Sequence, residues 1–130
     1  MSVRFAGYAA LFDRVDRGGD IVRRGAFQRS LAGAGRALPL LWQHRPDRRI
    51  GAVVHAAEDR RGLRIIAALD DQADEALAAI RSGAATGLSF GYRVRRSAGG
   101  SPRELFDLDL VEVSLVSVPM MPGAKVHMLR

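Results

Sequence analysis

Cysteine is absent from this 130-residue chain. That excludes disulfides, thiol nucleophiles and every thiolate-ligated zinc or iron–sulfur site. Histidine occurs only as His44, His55 and His127, at separations of 11 and 72 residues that match no compact metal motif, so neither a metal nor a cofactor is expected. Aromatics make up 6% of the chain, and Lys125 is the single lysine. No apolar run approaches the roughly 18 residues a membrane helix requires. The segment Met1 to Gly7 lacks a basic region followed by an apolar core, so a soluble, intracellular chain is expected, with no membrane partner.

What is present is ordinary for a folded protein: 48% hydrophobic residues, 26% charged, 14 Gly and 5 Pro. The length suits one domain, 1–130, able to bury roughly two-thirds of the surface its unfolded chain exposes. Charge is the unusual feature. Twenty Lys+Arg against 14 Asp+Glu give a net +6, which favours anionic partners without identifying one.

Apolar and turn-forming residues divide the chain into short segments. Strands are expected over 3–12, 38–42, 50–57, 63–69, 85–94 and 105–118, with turns at Asp13-Arg14 and at His44-Arg45-Pro46-Asp47. Asp16 to Asp20 reads as a polar, glycine-rich loop, and Gly62 as the turn residue of a hairpin spanning 58–62. Phe27 and Leu31 mark a short helix over 25–31, stopped by Gly33 or Gly35. A second helix is expected from the spacing of Ala73, Ala76, Leu77 and Ile80, capped by Asp71 and ended by Gly83. Six or seven strands adjacent in sequence, with two or more peripheral helices, predict a mainly β (α+β) fold: a mostly antiparallel sheet closed into a barrel.

Chemistry falls to a few positions. His44 follows the apolar Leu40-Leu41-Trp42 at a strand end, where a scaffold can aim it, whereas His55 reads as a packed or surface residue and His127 sits at the terminus. In Gly87-Leu88-Ser89-Phe90-Gly91, two glycines let a substrate approach Ser89 closely, or else mark a tight bend in a strand. The pattern also matches the G-x-S-x-G nucleophile elbow, and Ser89, Asp107 or Asp109, and His127 even follow that order. The elbow is excluded because Tyr92 to Arg96 reads as strand rather than helix, and because the chain is too short for the large parallel sheet. Strand alternation puts Glu112 among Leu108, Leu110, Ser114 and Val116. A carboxylate on that face needs a partner such as an imidazole, unless the strand is a wet edge.

Taken in order, these segments resemble the prohead (capsid maturation) serine proteases of HK97-like tailed phages, a family related in fold to the herpesvirus assembly protease. The blocks that carry the resemblance are Phe5 to Phe12 with Gly19-Asp20 and Gly25-Ala26-Phe27, then Leu40-Leu41-Trp42-Gln43-His44 with Ile50-Gly51. Two more follow: Gly87 to Tyr92, and Leu110 to Val116 with Pro119 and Ala124. The resemblance implies His44 as general base, Ser89 as nucleophile and Glu112 as the residue that orients the imidazole. It also implies oxyanion donors in the loop from Pro119 to Gly123, where Met120-Met121-Pro122 departs from the family's small-Asn-Pro. The implied substrates are scaffold-like segments of the major capsid protein, and the protease itself, inside an immature capsid in the bacterial host cytoplasm. Dimers or higher oligomers are expected, because such an enzyme stays quiet until concentrated.

Two other classes compete with this reading. A catalytically inactive capsid-assembly factor would keep the fold and the capsid partner. A basic β-barrel that binds nucleic acid would explain the charge, but only Tyr92-Arg93 interleaves an aromatic with a basic residue, so nucleic acid is not expected.

Overall fold

The computed structural model describes residues 3–33 and 38–128. In chain order its elements are β1 (Arg4–Leu11), β2 (Asp20–Val22), α1 (Gln28–Ala32), β3 (Leu38–Trp42), β4 (Arg45–Glu58), β5 (Gly62–Leu69), α2 (Asp74–Ser82), β6 (Gly87–Ala98), β7 (Arg103–Val116) and β8 (Val126–Met128). The fold is mainly β with few helices, as expected. Most pairings are antiparallel, while β2 and β3 both run parallel to β7.

The sheet runs β2-β7-β3-β4-β5-β1-β8, with β6 paired to β7. It does not close into the expected barrel. Where β6 approaches β8, one isolated bridge between Gly87 and Lys125 stands in place of a ladder. Strand β7 is the hub: β6 pairs along almost its whole length, and its other edge takes β2 at residues 103–105 and β3 at residues 113–115. The core includes Phe5, Phe27, Leu40, Ile65, Leu88, Leu105 and Leu115, each with no exposed surface. From it, Phe27, Phe90 and Tyr92 form a run of ring contacts, 5.3 and then 4.8 Å between centroids, leading toward the His44 end of the sheet.

Several local expectations need correction. The turn after β3 is Gln43-His44, not 44–47, because Trp42 already pairs with Arg45 and β4 begins there. Helix α2 starts from Ala73 without a side-chain cap, so Asp71 does not cap it, but it ends at Gly83 in the left-handed conformation (φ +83°) that glycine adopts without strain. Gly62 opens β5 instead of turning the hairpin. A Cβ there would lie 1.9 Å from the Ala10 carbonyl oxygen, so glycine is needed for close approach of β1. Gly33 caps α1 in a right-handed conformation, and Gly35 lies outside the described residues.

Candidate active site

The β3–β4 hairpin turns in two residues, Gln43 and His44, both at positive φ (+49° and +60°). A two-residue hairpin of type I′ demands positive φ at both central positions, a demand normally met by Asn-Gly. Neither Gln nor His meets it readily, and a non-glycine residue held there costs of order 1–3 kcal/mol. The turn is fixed from β7 instead. The Gln43 amide donates to the Leu115 carbonyl at 2.9 Å, and the Gln43 side chain exchanges bonds with Ser117 at 3.2 and 3.3 Å. The His44 amide donates to Ser114 Oγ at 3.1 Å. Strain at a chemistry-bearing residue, offset by a surrounding network, is the pattern seen at functional sites.

Glu112 lies two residues before Ser114 on β7 and is buried, so the strand is not a wet edge there. His44 Nδ1 is 2.5 Å from Glu112 Oε1, and Ser114 Oγ donates to Glu112 Oε2 at 2.7 Å. Because an ionised carboxylate only accepts, the neutral imidazole carries its proton on Nδ1 and keeps its lone pair on Nε2. The hydrogen bond to Glu112 lifts the His44 pKa above the usual 6.5, against the opposing effect of burial.

Antiparallel pairing sets Ser89 opposite Ser114 and Gly91 opposite Glu112. Directly opposed residues share a face, so Ser89, Ser114 and Glu112 are on one side of the sheet. Gly91 makes room for the carboxylate, since a Cβ there would lie 2.5 Å from Glu112 Oε1. Ser89 is 4% exposed and sits within β6, which confirms that it is no strand-to-helix elbow. Ser89 and His44 line one cavity of about 240 Å³, together with Asp16, Tyr92, Met120 and Met121. A second cavity of about 450 Å³ lies against His44 and Glu112, walled by Leu41, Pro46, Tyr92 and Val111. The imidazole therefore borders both.

The structure thus brings His44 and Glu112 into contact and sets Ser89 beside His44 on a shared cavity. It keeps the other residues of the excluded elbow apart from them: Asp107 and Asp109 bind Arg29, and His127 is an exposed residue of β8 opposite Ala6 on β1. His55 is exposed on β4 beside a bulge. Sequence reasoning gave no role to Ser114 or Asp16, and read Gly91 as making room for substrate instead of for Glu112. For Ser114 the available signal was its position two residues from Glu112 on the same strand face.

A family model described as caudovirus prohead serine protease matches residues 1–130. The chain belongs to that family. The prohead protease of Enterobacteria phage HK97 is 32% identical over 96 residues, which is 71% of this chain and 43% of the phage protein. The chain therefore spans under half the length of that relative. Its fold is also that of the herpesvirus proteases. The KSHV protease in complex with a hexapeptide phosphonate inhibitor superposes with a TM-score of 0.73 at 12% identity, covering 100% of this chain and 66% of that one. The varicella-zoster virus protease gives 0.66 at 18% identity, covering 98% and 64%. No helix among the described residues is long and apolar enough to cross a membrane.

Proposed function

We propose that this member of the prohead protease family is a serine endopeptidase in which Ser89 is the nucleophile, His44 the general base and Glu112 the residue that orients the imidazole. The observation that carries this reading is the 2.5 Å contact of Glu112 with His44 Nδ1, made where His44 shares a cavity with Ser89. In the reaction, His44 Nε2 takes the Ser89 hydroxyl proton as Oγ bonds to a peptide carbonyl carbon. The imidazolium then returns that proton to the departing amine as the C–N bond breaks. Water, deprotonated by the same imidazole, hydrolyses the acyl-serine and frees the enzyme. Glu112 keeps Nε2 basic through the cycle and stabilises the imidazolium. Among the described residues no hydrogen bond joins Ser89 to His44, so that contact must tighten when substrate fills the cavity, as it does in many unliganded hydrolases.

For the oxyanion we assign backbone amides of the Pro119 to Gly123 loop. Met120 and Met121 of that loop line the Ser89 cavity, and the Met120 carbonyl is tied to the Arg17 amide at 2.9 Å. Family membership supports the substrates: scaffold-like segments of the major capsid protein, and the protease itself, within the prohead. Action there also suits an enzyme switched on by self-association at high local concentration.

The test is labelling with a small fluorophosphonate at high protein concentration in a kosmotropic salt, with the site found by peptide mass spectrometry. Label on Ser89, lost in Ser89→Ala and reduced by at least about a thousandfold in His44→Ala, is the expected result. Label on a different serine overturns the assignment. No label on any serine supports the inactive assembly factor instead.

A further inference from the structure

The cavity that holds Ser89 and His44 also contains two carboxylates, and they differ in how they are satisfied. Asp20 is fully engaged. Arg103 donates to both of its oxygens, at 3.0 and 2.9 Å, and the Tyr92 hydroxyl lies 3.4 Å from the second. Asp16 is 8% exposed and has no cationic partner among the described residues. Its Oδ1 accepts the amides of Gly18 at 2.8 Å and Asp20 at 3.0 Å, while its Oδ2 has no hydrogen bond there. The nearest arginine in sequence, Arg17, donates through Nε to the Pro119 carbonyl instead.

No fully buried side-chain oxygen among the described residues lacks a hydrogen bond, so Oδ2 is open to solvent. A mostly buried carboxylate with one oxygen free and no cation beside it is poised to take one. The surroundings indicate which kind. Ala9, Phe90, Met120 and Met121 give the cavity apolar walls, suited to the methylene stem of a long side chain. The carboxylate is held rigidly. The turn it builds is closed by two further backbone bonds, from the Asp16 amide to the Asp20 carbonyl at 2.8 Å and from the Gly19 amide to the Asp16 carbonyl at 3.1 Å. The Tyr92 hydroxyl, held above its usual range first by burial, is raised further by the charges of Asp20 and Asp16, so the field of both reaches across the cavity.

We propose that Asp16 is a specificity-determining residue that pairs with the lysine or arginine side chain of the substrate residue whose carbonyl Ser89 attacks. This rests on the assignment of Ser89 above. In it, the apolar walls take the stem, Asp16 takes the cationic head, and Arg103 keeps Asp20 from competing for that head. A turn-forming role alone would be served equally by asparagine, which accepts the same two amides without the charge.

That equivalence supplies the experiment. The full chain is reacted with two peptidyl phosphonate esters that differ only in carrying a lysine-like or a leucine-like side chain beside phosphorus, and with a small fluorophosphonate. In the unmodified protein, the lysine-like probe should label Ser89 about 10- to 100-fold faster than the leucine-like one, the usual worth of a hydrogen bond to a charged group. In Asp16→Asn that ratio should fall to near unity, with each peptidyl rate referred to the small probe's rate on the same variant. Equal rates of the two peptidyl probes on the unmodified protein, or a preference that survives Asp16→Asn, would overturn the proposal while leaving Ser89 as nucleophile. Failure of the small probe to label Ser89 removes the serine assignment, and this inference with it. If Asp16→Asn does not fold, the unmodified protein still decides: benzamidine, but not uncharged benzamide, should protect Ser89 from the small probe, and equal protection by both overturns the proposal.

Discussion

Asp109 and Glu112 lie three residues apart on β7, each paired with a nitrogen base, yet their settings are opposite. Asp109 faces two arginines, Arg29 and Arg95, both at 2.5 Å, with those arginine side chains 51% and 62% exposed. Glu112 has a side chain only 10% exposed and meets one imidazole and one hydroxyl. At Asp109 water screens the pairs, and arginine stays protonated whatever its neighbours, so the interaction alters little besides the carboxyl's own affinity for protons. At Glu112 the partner is a group that titrates near neutrality, so the same kind of contact sets which ring nitrogen is basic and at what pH. Burial and the choice of partner, not the number of ion pairs, separate a site from a surface.

The sharpest way to break that comparison is Glu112→Gln. The amide can still contact the ring but carries no charge, so labelling of Ser89 should fall by about 10²- to 10⁴-fold, the range expected when a triad loses its orienting carboxylate. The pH profile tells whether charge is responsible. As the proposed general base His44 acts only when neutral, and Glu112 raises its pKa, so kcat/KM should decline as pH falls through a value above 6.5. In Glu112→Gln the acid limb should move to lower pH. A limb that stays in place would show that Glu112 does not tune His44.

Gly91→Ala acts on the same contact without changing any polar group. Its new methyl would lie 2.5 Å from Glu112 Oε1, so the carboxylate has to shift and its bond to His44 lengthen. A loss of about 10- to 100-fold in labelling of the folded fraction, in line with the penalty for a displacement of about 1 Å near reacting groups, is expected, with a lowered Tm because the crowded carboxylate is buried. Full activity would mean that the Glu112 to His44 geometry is not limiting.

Ser114→Ala tests the support beneath. It leaves Glu112 Oε2 and the His44 amide without a protein partner, at a cost of about 1–3 kcal/mol. At roughly 4 °C per kcal/mol, Tm should drop by about 4–12 °C, with labelling of the folded fraction reduced less than in Glu112→Gln. An unchanged Tm would mean that water replaces the hydroxyl.

How much of this was legible beforehand follows from how local each cause is. β3 is found over 38–42, as read from the sequence, because an apolar run bounded by turn signals is local information. The position of His44 at a strand end was readable for the same reason. The Gln43-His44 turn was not, since nothing in those two residues favours positive φ, and the bonds that enforce it come from Leu115, Ser114 and Ser117, some seventy positions away. β2 was hidden similarly: three residues beside a glycine-rich loop become a strand only because β7 runs alongside. The open seam between β6 and β8 depends on pairing partners, which strand propensity does not encode. At Glu112 the alternation of β7 gave the need for a partner, and the fold supplied His44.

Asp109→Asn is the smallest expected effect and the control for the whole comparison. Arg29 and then Arg95 hold the Asp109 carboxyl below the usual range, so the charge is certainly felt. It is felt at the surface, however, where the arginines can turn to Asp107 or to water, and Asp107 already holds Arg29 at 3.0 Å. Tm and the rate of Ser89 labelling should both stay within error of the unmodified protein, at low salt as at high. A clear loss of labelling would mean that the exposed half of β7 communicates with His44 through the strand, and that burial alone does not mark where the site ends.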